Sequence, residues 1–251
     1  NIAAAYVARA AADGYTLLMG SDGPLAINPF IYGRLPFDPL QDFAPAALLA
    51  SVDFMLVTQP SSSAATVREF IALARKERPA LTYGSSGAGS QHHLGMEMFK
   101  SMAQVDLVHV PYKGVVPALS DVMGGHVAAM FVAVPTAAPY VRSGRLKAIA
   151  VSGKERSPLV PGVPTIDESG LPGFELRAWF GLLAPAATPS RIVSQINSDA
   201  NAVSQRPEMK SALQDLGFRT LSETPEGFAR FLKAEQGRWK QVVRDSGAKA
   251  D

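Results

Sequence analysis

Short apolar runs alternate with stretches of helical periodicity from one end of the chain to the other. The runs at 15–19, 54–58, 81–83, 107–110, 128–134, 146–151 and 176–183 are brief, often β-branched and bounded by Gly, Pro or Ser, which predicts strands. The intervening stretches predict helices with readable starts. Thr66 with Glu69, and Thr165 with Glu168, have capping-box spacing, and Gly170 is placed to close the second, shorter helix. Thr188-Pro189 and Thr224-Pro225 each put a capping residue before a proline suited to the first helical position. Two long helices near the end show one apolar face each: Ile192, Val193, Ile196 and Val203 on the first, and Phe228, Phe231, Leu232, Trp239, Val242 and Val243 on the second. Packing onto their own sheet accounts for both stripes. Strands alternating with helices predict an α/β fold whose mostly parallel sheets are covered by helices on both faces.

No repeat of fixed period and no low-complexity tract interrupts this pattern. With 251 residues the chain can bury one large core or two smaller ones. The run at 176–183, ending in Ala-Pro, is the longest strand-like segment, as expected of a crossing between two lobes. Apolar residues make up 47% and charged residues 18%, a globular balance. No apolar stretch approaches the roughly 20 residues of a membrane-spanning helix. A formal charge of +2 without a basic stripe argues against a nucleic-acid partner. There is no cysteine, which excludes disulfides, thiolate metal sites and a cysteine nucleophile.

The most informative stretch is LTYGSSGAGSQHHLGMEMF, residues 81–99, which reads as strand, Gly/Ser loop and helix. Backbone N–H groups at a helix start are unpaired and carry partial positive charge, so they suit a carboxylate or phosphate. Gly84, Gly87 and Gly89 allow close backbone approach, and Ser85, Ser86 and Ser90 add hydroxyls. A flexible turn with a serine cap is the plainer alternative. The loop lacks the Gly-Lys-Ser/Thr of a phosphate loop, the third glycine of a dinucleotide fingerprint, and the Gly-x-Ser-x-Gly of a nucleophile elbow. His93 and Glu97 are spaced i, i+4, which can hold a metal only with a third ligand; a surface contact or a histidine at a ligand cleft fits as well. A second loop, GSDGPLAINP at 20–29, also follows a strand and offers Ser21, Asp22, Gly23 and Pro24, although Asp22 equally suits a turn cap. After a further strand, Tyr112 and Lys113 offer a hydroxyl and a cation. Trp179 and Phe180 are candidates to wall a cleft, or core aromatics.

In order along the chain, DGYTLLMGSDGPLAINPFIY, LPFDPLQDFAP, LTYGSSGAGSQHHL, VPYKGVVPALSDVMGGHVAAMF, RLKAIAVSGKERSPLVPGVPTIDESGLPGFELRAWFGLLAPAATP and EQGRWKQVV resemble the substrate-binding receptors of tripartite tricarboxylate transporters, the Bug family. The matching stretches cover nearly the whole chain at family spacing. The resemblance implies a two-lobed periplasmic-binding-protein (Venus-flytrap) architecture, with lobe one at residues 1–82 and 182–251 and lobe two at 83–181. It implies a periplasmic, monomeric receptor that closes on a small carboxylate, uses no cofactor or metal and catalyses nothing. Its partners are then the membrane subunits of a tripartite transporter, or a sensor kinase. Carried over residue by residue, the ligand falls to Ser21, Asp22, Gly23 and Pro24 on one lobe and to Ser85, Ser86, Gly87, Gly89, Ser90 and His93 on the other. Pro135, Thr136, Trp179 and Phe180 follow as weaker candidates.

Two departures from the family pattern stand out. Val132 and Ala133 occupy positions where similar proteins often carry an acidic residue. The family pattern also begins with a strand and a Pro-Gly-Gly loop upstream of Asn1, so the native protein is expected to be longer by about one strand–loop unit. The competing functional expectation is a serine hydrolase built on Ser90 with His92 or His93.

Overall fold

The computed structural model describes residues 1–249, which form two compact α/β units. Of the described residues, unit 1 comprises 1–51 and 178–249, and unit 2 comprises Val52–Arg177. The elements in order are α1 (Ile2–Val7), β1 (Leu18–Ser21), a π-helical turn (Gly23–Ile27), α2 (Asn28–Ile31), β2 (Phe43–Thr58), α3 (Val67–Lys76), β3 (Thr82–Ser85), α4 (Gln91–Ala103), β4 (Val108–Pro111), α5 (Val115–Gly124), β5 (Ala129–Ala133), α6 (Val134–Arg142), β6 (Lys147–Val151), β7 (Arg177–Pro185), α7 (Ser190–Ser204), α8 (Pro207–Asp215), β8 (Phe218–Thr220) and α9 (Pro225–Ser246). Among the described residues, no helix is long and apolar enough to cross a membrane.

In unit 2, β3 runs parallel to β4, from Thr82 opposite Val108 to Ser85 opposite Pro111, and parallel to β5 through Tyr83 and Gly84. The second half of β2 lies antiparallel to both β5 and β6. Each residue from Val52 to Thr58 is buried, as expected of a strand flanked by others and covered on both faces. The core joins Met55 and Val57 to Met130 and Val132 of β5 and to Ala118, Leu119 and Val122 of α5. The helix α3 starts where its capping box predicts. Thr66 Oγ1 accepts the Glu69 amide at 3.2 Å, and the Glu69 carboxylate accepts the Thr66 amide at 3.1 Å. Thr66→Ala is expected to cost about 1 kcal/mol of unfolding free energy, read as a lower urea midpoint at unchanged m-value. A loss smaller than about 0.3 kcal/mol would show that water replaces this cap.

In unit 1, β1 pairs antiparallel with β7, from Leu18 opposite Leu183 to Ser21 opposite Phe180, and β8 pairs with β2. The apolar face of α9 is inside, with Phe228, Leu232, Trp239 and Val243 buried. Its start is the expected one: Thr224 Oγ1 accepts the Gly227 amide and Pro225 opens the helix.

Several boundaries depart from the sequence expectation for physical reasons. The strand expected at 54–58 begins at Phe43, because pairing within unit 1 holds the β-poor Ala-Pro-Ala-Ala stretch extended. β8, short and preceded by Gly217, was not expected. Thr165 and Glu168 do exchange capping bonds, of 3.1 and 3.2 Å, but the segment forms turns rather than a helix. At 188–189 the helix starts one residue later than expected, so Pro189 is the N-cap of α7 and the Thr188 hydroxyl has no partner among the described residues. Residues 52–82, expected in lobe one, belong to unit 2, where their strand pairs with β5 and β6. Residues 178–181, expected in lobe two, belong to unit 1, where Phe180 and Gly181 pair with β1. Residues 250 and 251, expected in lobe one, lie outside the described residues.

Candidate functional site

The Gly/Ser loop of unit 2 leaves the carboxyl end of β3, in the parallel part of the sheet, and enters α4. Open α/β sheets bind ligands at such strand ends. Gly87 has φ +130° and Gly89 φ +74°, conformations that side-chain-bearing residues rarely adopt. Ser90 is the N-cap of α4: its Oγ accepts the His93 amide at 3.3 Å and donates to Gly87 O at 2.7 Å. The first N–H groups of the helix, those of Gln91 and His92, have no acceptor inside it. A hydroxyl already committed to Gly87 O hands no proton to an imidazole, so the hydrolase constellation of Ser90 with His92 or His93 is not assembled.

Beneath the loop lies a polar layer that sequence reading missed. Ser85, fully buried, has its Oγ 2.6 Å from His109 Nε2 and accepts the Gly87 amide at 3.1 Å. The His109 ring stacks on His93 with centroids 3.9 Å apart and planes 5° apart, and Tyr83 stacks on His109 at 5.0 Å. His93 Nδ1 accepts the Gly89 amide at 3.1 Å. The Tyr83 hydroxyl donates to Glu97 at 2.5 Å, and Lys100 pairs with the same carboxylate at 2.8 Å. The i, i+4 pair His93 and Glu97 thus reaches two different partners. Among the described residues, no group of three potential metal-ligating side chains gathers.

Burial governs the charge state of this layer. It drives the His109 imidazole down to about 4, with His93 and Lys100 adding to the shift and Glu97 opposing it. His93 is lowered in the same way, by burial first. His92, whose Nδ1 meets Ser86 Oγ at 2.8 Å and whose ring lies edge-on to Phe54, is lowered to about 4 by burial alone. At neutral pH the loop is therefore backed by neutral rings. The Tyr112 hydroxyl donates a hydrogen bond to Asp121 at 2.5 Å, and burial followed by that contact pushes the phenol up to about 12; Lys113 is exposed.

In unit 1, Ser21 ends β1, and Asp22 begins the π-helical turn that contains Gly23 and Pro24. Asp22 is 3% exposed, and its Oδ2 has no partner among the described residues. Burial raises its pKa well above the usual carboxylate range, and the charge of Glu235 raises it further. Glu235 itself accepts the indole N–H of Trp179 at 3.2 Å and lies 3.5 Å from Arg238. Trp179 is fully buried against Phe228 and Phe231, so its ring forms core rather than cleft wall. Phe180, partly buried, packs edge-on against Phe218. Pro135 and Thr136 open α6 in unit 2, the first half-buried and the second exposed. The structure thus gathers Ser85, Ser86, Gly87, Gly89, Ser90 and His93 around one loop, and Ser21, Asp22, Gly23 and Pro24 around another.

Two α/β units, with strands running from one into the other and loops opening at strand ends, define the class of periplasmic binding proteins. The family model described as the tripartite tricarboxylate transporter family receptor matches residues 1–248, and the chain belongs to that family. It is 34% identical over 243 residues to the protein BugT of Bordetella pertussis, which covers 96% of this chain and 74% of that protein. Among solved structures, it superposes on the R. palustris protein Rpa4515 with adipate at a TM-score of 0.86 and 35% identity, covering 99% of this chain and 83% of that one. It superposes on MatC from Rhodopseudomonas palustris with bound malate at 0.78 and 32% identity, covering 96% and 83%.

Proposed function

We propose that this chain is the ligand-capturing part of a receptor for a small dicarboxylate, working in the periplasm and delivering its cargo to the membrane subunits of a tripartite transporter without catalysing a reaction. The supporting observation is the loop at 85–93. It presents a capped helix start and serine hydroxyls, carries no carboxylate, and is backed by neutral imidazoles. Such a surface favours an anion over a cation, because helix N–H groups carry partial positive charge and no acidic group repels the ligand. Two solved structures similar to this chain contain adipate and malate, both dicarboxylates. In this reading the loop at 85–93 holds one part of the anion, with Thr136 a further donor in unit 2.

Thermal unfolding in the presence of adipate, malate or citrate, with glucose and lysine as controls, tests the ligand class. A dicarboxylate at a hundred times its dissociation constant stabilises the folded state by about 2.7 kcal/mol, a shift of several degrees. Stabilisation by glucose or lysine alone would overturn the assignment.

A further inference from the structure

The loop at 85–93 is held from below at three points, by Ser85, Ser90 and His93. Ser85 Oγ accepts the Gly87 amide and is itself 2.6 Å from His109 Nε2. Ser90 Oγ ties Gly87 O to the His93 amide. Nδ1 of His93 accepts the amide of Gly89, the glycine whose positive φ turns the chain into α4. His93 is only 7% exposed and lies flat on His109, so its ring faces protein on that side.

We propose that His93 is a positioning residue rather than a ligand contact: the lone pair on its Nδ1 holds the Gly89 amide and so sets the loop shape on which anion binding depends. The consequence for binding rests on the dicarboxylate reading given above; the loop anchor itself does not. A proton on Nδ1 would set two donors, imidazole and Gly89 amide, against each other, so the anchor exists only while the ring is unprotonated there. The charged and titratable groups around the ring are His109 from β4, Tyr83 from β3, and Glu97 and Lys100 one and two turns along α4. Glu97 favours a proton on His93, Lys100 opposes it, and burial opposes it most. A cationic His93 would also lie 3.9 Å from the parallel ring of His109, which disfavours a charge on both. Acidification is therefore expected to release Gly89, loosen the loop and weaken its hold on an anion.

The decisive comparison uses His93→Asn, His93→Gln and His93→Leu. The Asn amide oxygen reaches the Nδ1 position, the Gln amide reaches the Nε2 position, and Leu offers no acceptor. Hydrogen exchange of the Gly89 amide in the ligand-free chain is expected to be about tenfold faster in the Leu and Gln variants, the effect of losing one hydrogen bond of about 1.4 kcal/mol. In the Asn variant it should stay within about threefold of wild type. Affinity for malate or adipate should follow the same order, and acidification should weaken it more in wild type than in the Asn variant. Equal Gly89 exchange in wild type, Asn and Gln variants overturns the proposal, and it does so even if the Leu variant fails to fold. If the exchange order holds while neither dicarboxylate binds wild type, the anchor stands and the ligand assignment fails.

Discussion

Replacing Trp179 by alanine is expected to lower the unfolding free energy by about 3–5 kcal/mol, the largest single-residue effect anticipated in unit 1. The indole is fully buried and meets Phe228 and Phe231 edge-on at 5.7 and 5.5 Å. Its loss leaves a cavity that two rings from one helix turn cannot collapse to fill. It also removes the N–H that Glu235 accepts at 3.2 Å, leaving a carboxylate of 6% exposure short of a donor. Trp179→Phe separates the two contributions, since it keeps an aromatic ring and deletes only the donor and part of the volume. Urea unfolding of the three proteins should rank them wild type, Phe, Ala. Against a total stability of about 5–15 kcal/mol, the alanine variant stands near the limit of folding. An alanine cost below about 1.5 kcal/mol would mean that the ring does not carry the packing assigned to it.

Unit 2 should lose stability in acid, and His92 supplies a named part of that loss. Burial holds its imidazole at about 4, against about 6.5 in an unfolded chain. The unfolded state therefore binds a proton at a pH where the folded state does not. The stabilising contribution is complete above 6.5 and disappears as the pH falls from there toward 4. For this one ring the difference between pH 7 and pH 4 is on the order of 2–3 kcal/mol. His109, also held at about 4, acts in the same direction and is reduced by its contact with solvent. Asp22 in unit 1 acts with the opposite slope. Its raised pKa means that the folded state keeps a proton the unfolded chain has released, so stability falls as the pH rises from the ordinary carboxylate value through the folded one. Unfolding measured from pH 4 to 8 should show His92→Asn flattening the acid limb and Asp22→Asn flattening the opposite slope. An acid limb unchanged by His92→Asn would show that the ring is solvated and titrates normally.

Much of the architecture was legible because its signals are local. A capping box needs residues three apart, so Thr66 with Glu69 and Thr224 with its proline could be read directly, as could the Gly/Ser loop between a strand and a helix. The same locality explains the failures. Thr165 and Glu168 form their box without a helix, because two capping bonds do not supply the tertiary packing that sustains one. The first half of β2 carries no strand signal of its own and exists through its neighbours. His109 becomes the floor of the loop through the parallel pairing that sets Tyr83 beside it, a neighbour 26 positions away along the chain.

The sequence by itself determined the α/β class, the family, the Gly/Ser loop between strand and helix, and the absence of cysteine chemistry. Each of these depends on residue identity, on near neighbours, or on a pattern spread along the whole chain. Tertiary structure alone decided that Ser90 is a cap with its proton already given, that Trp179 belongs to the core, and that Asp22 lies buried near Glu235. It also decided that two histidines stack beneath the loop as neutral rings. The physical reason is that a hydrogen-bond partner, a desolvation cost and a ring stack are properties of the space around a side chain, which distant parts of the chain fill only once it has folded.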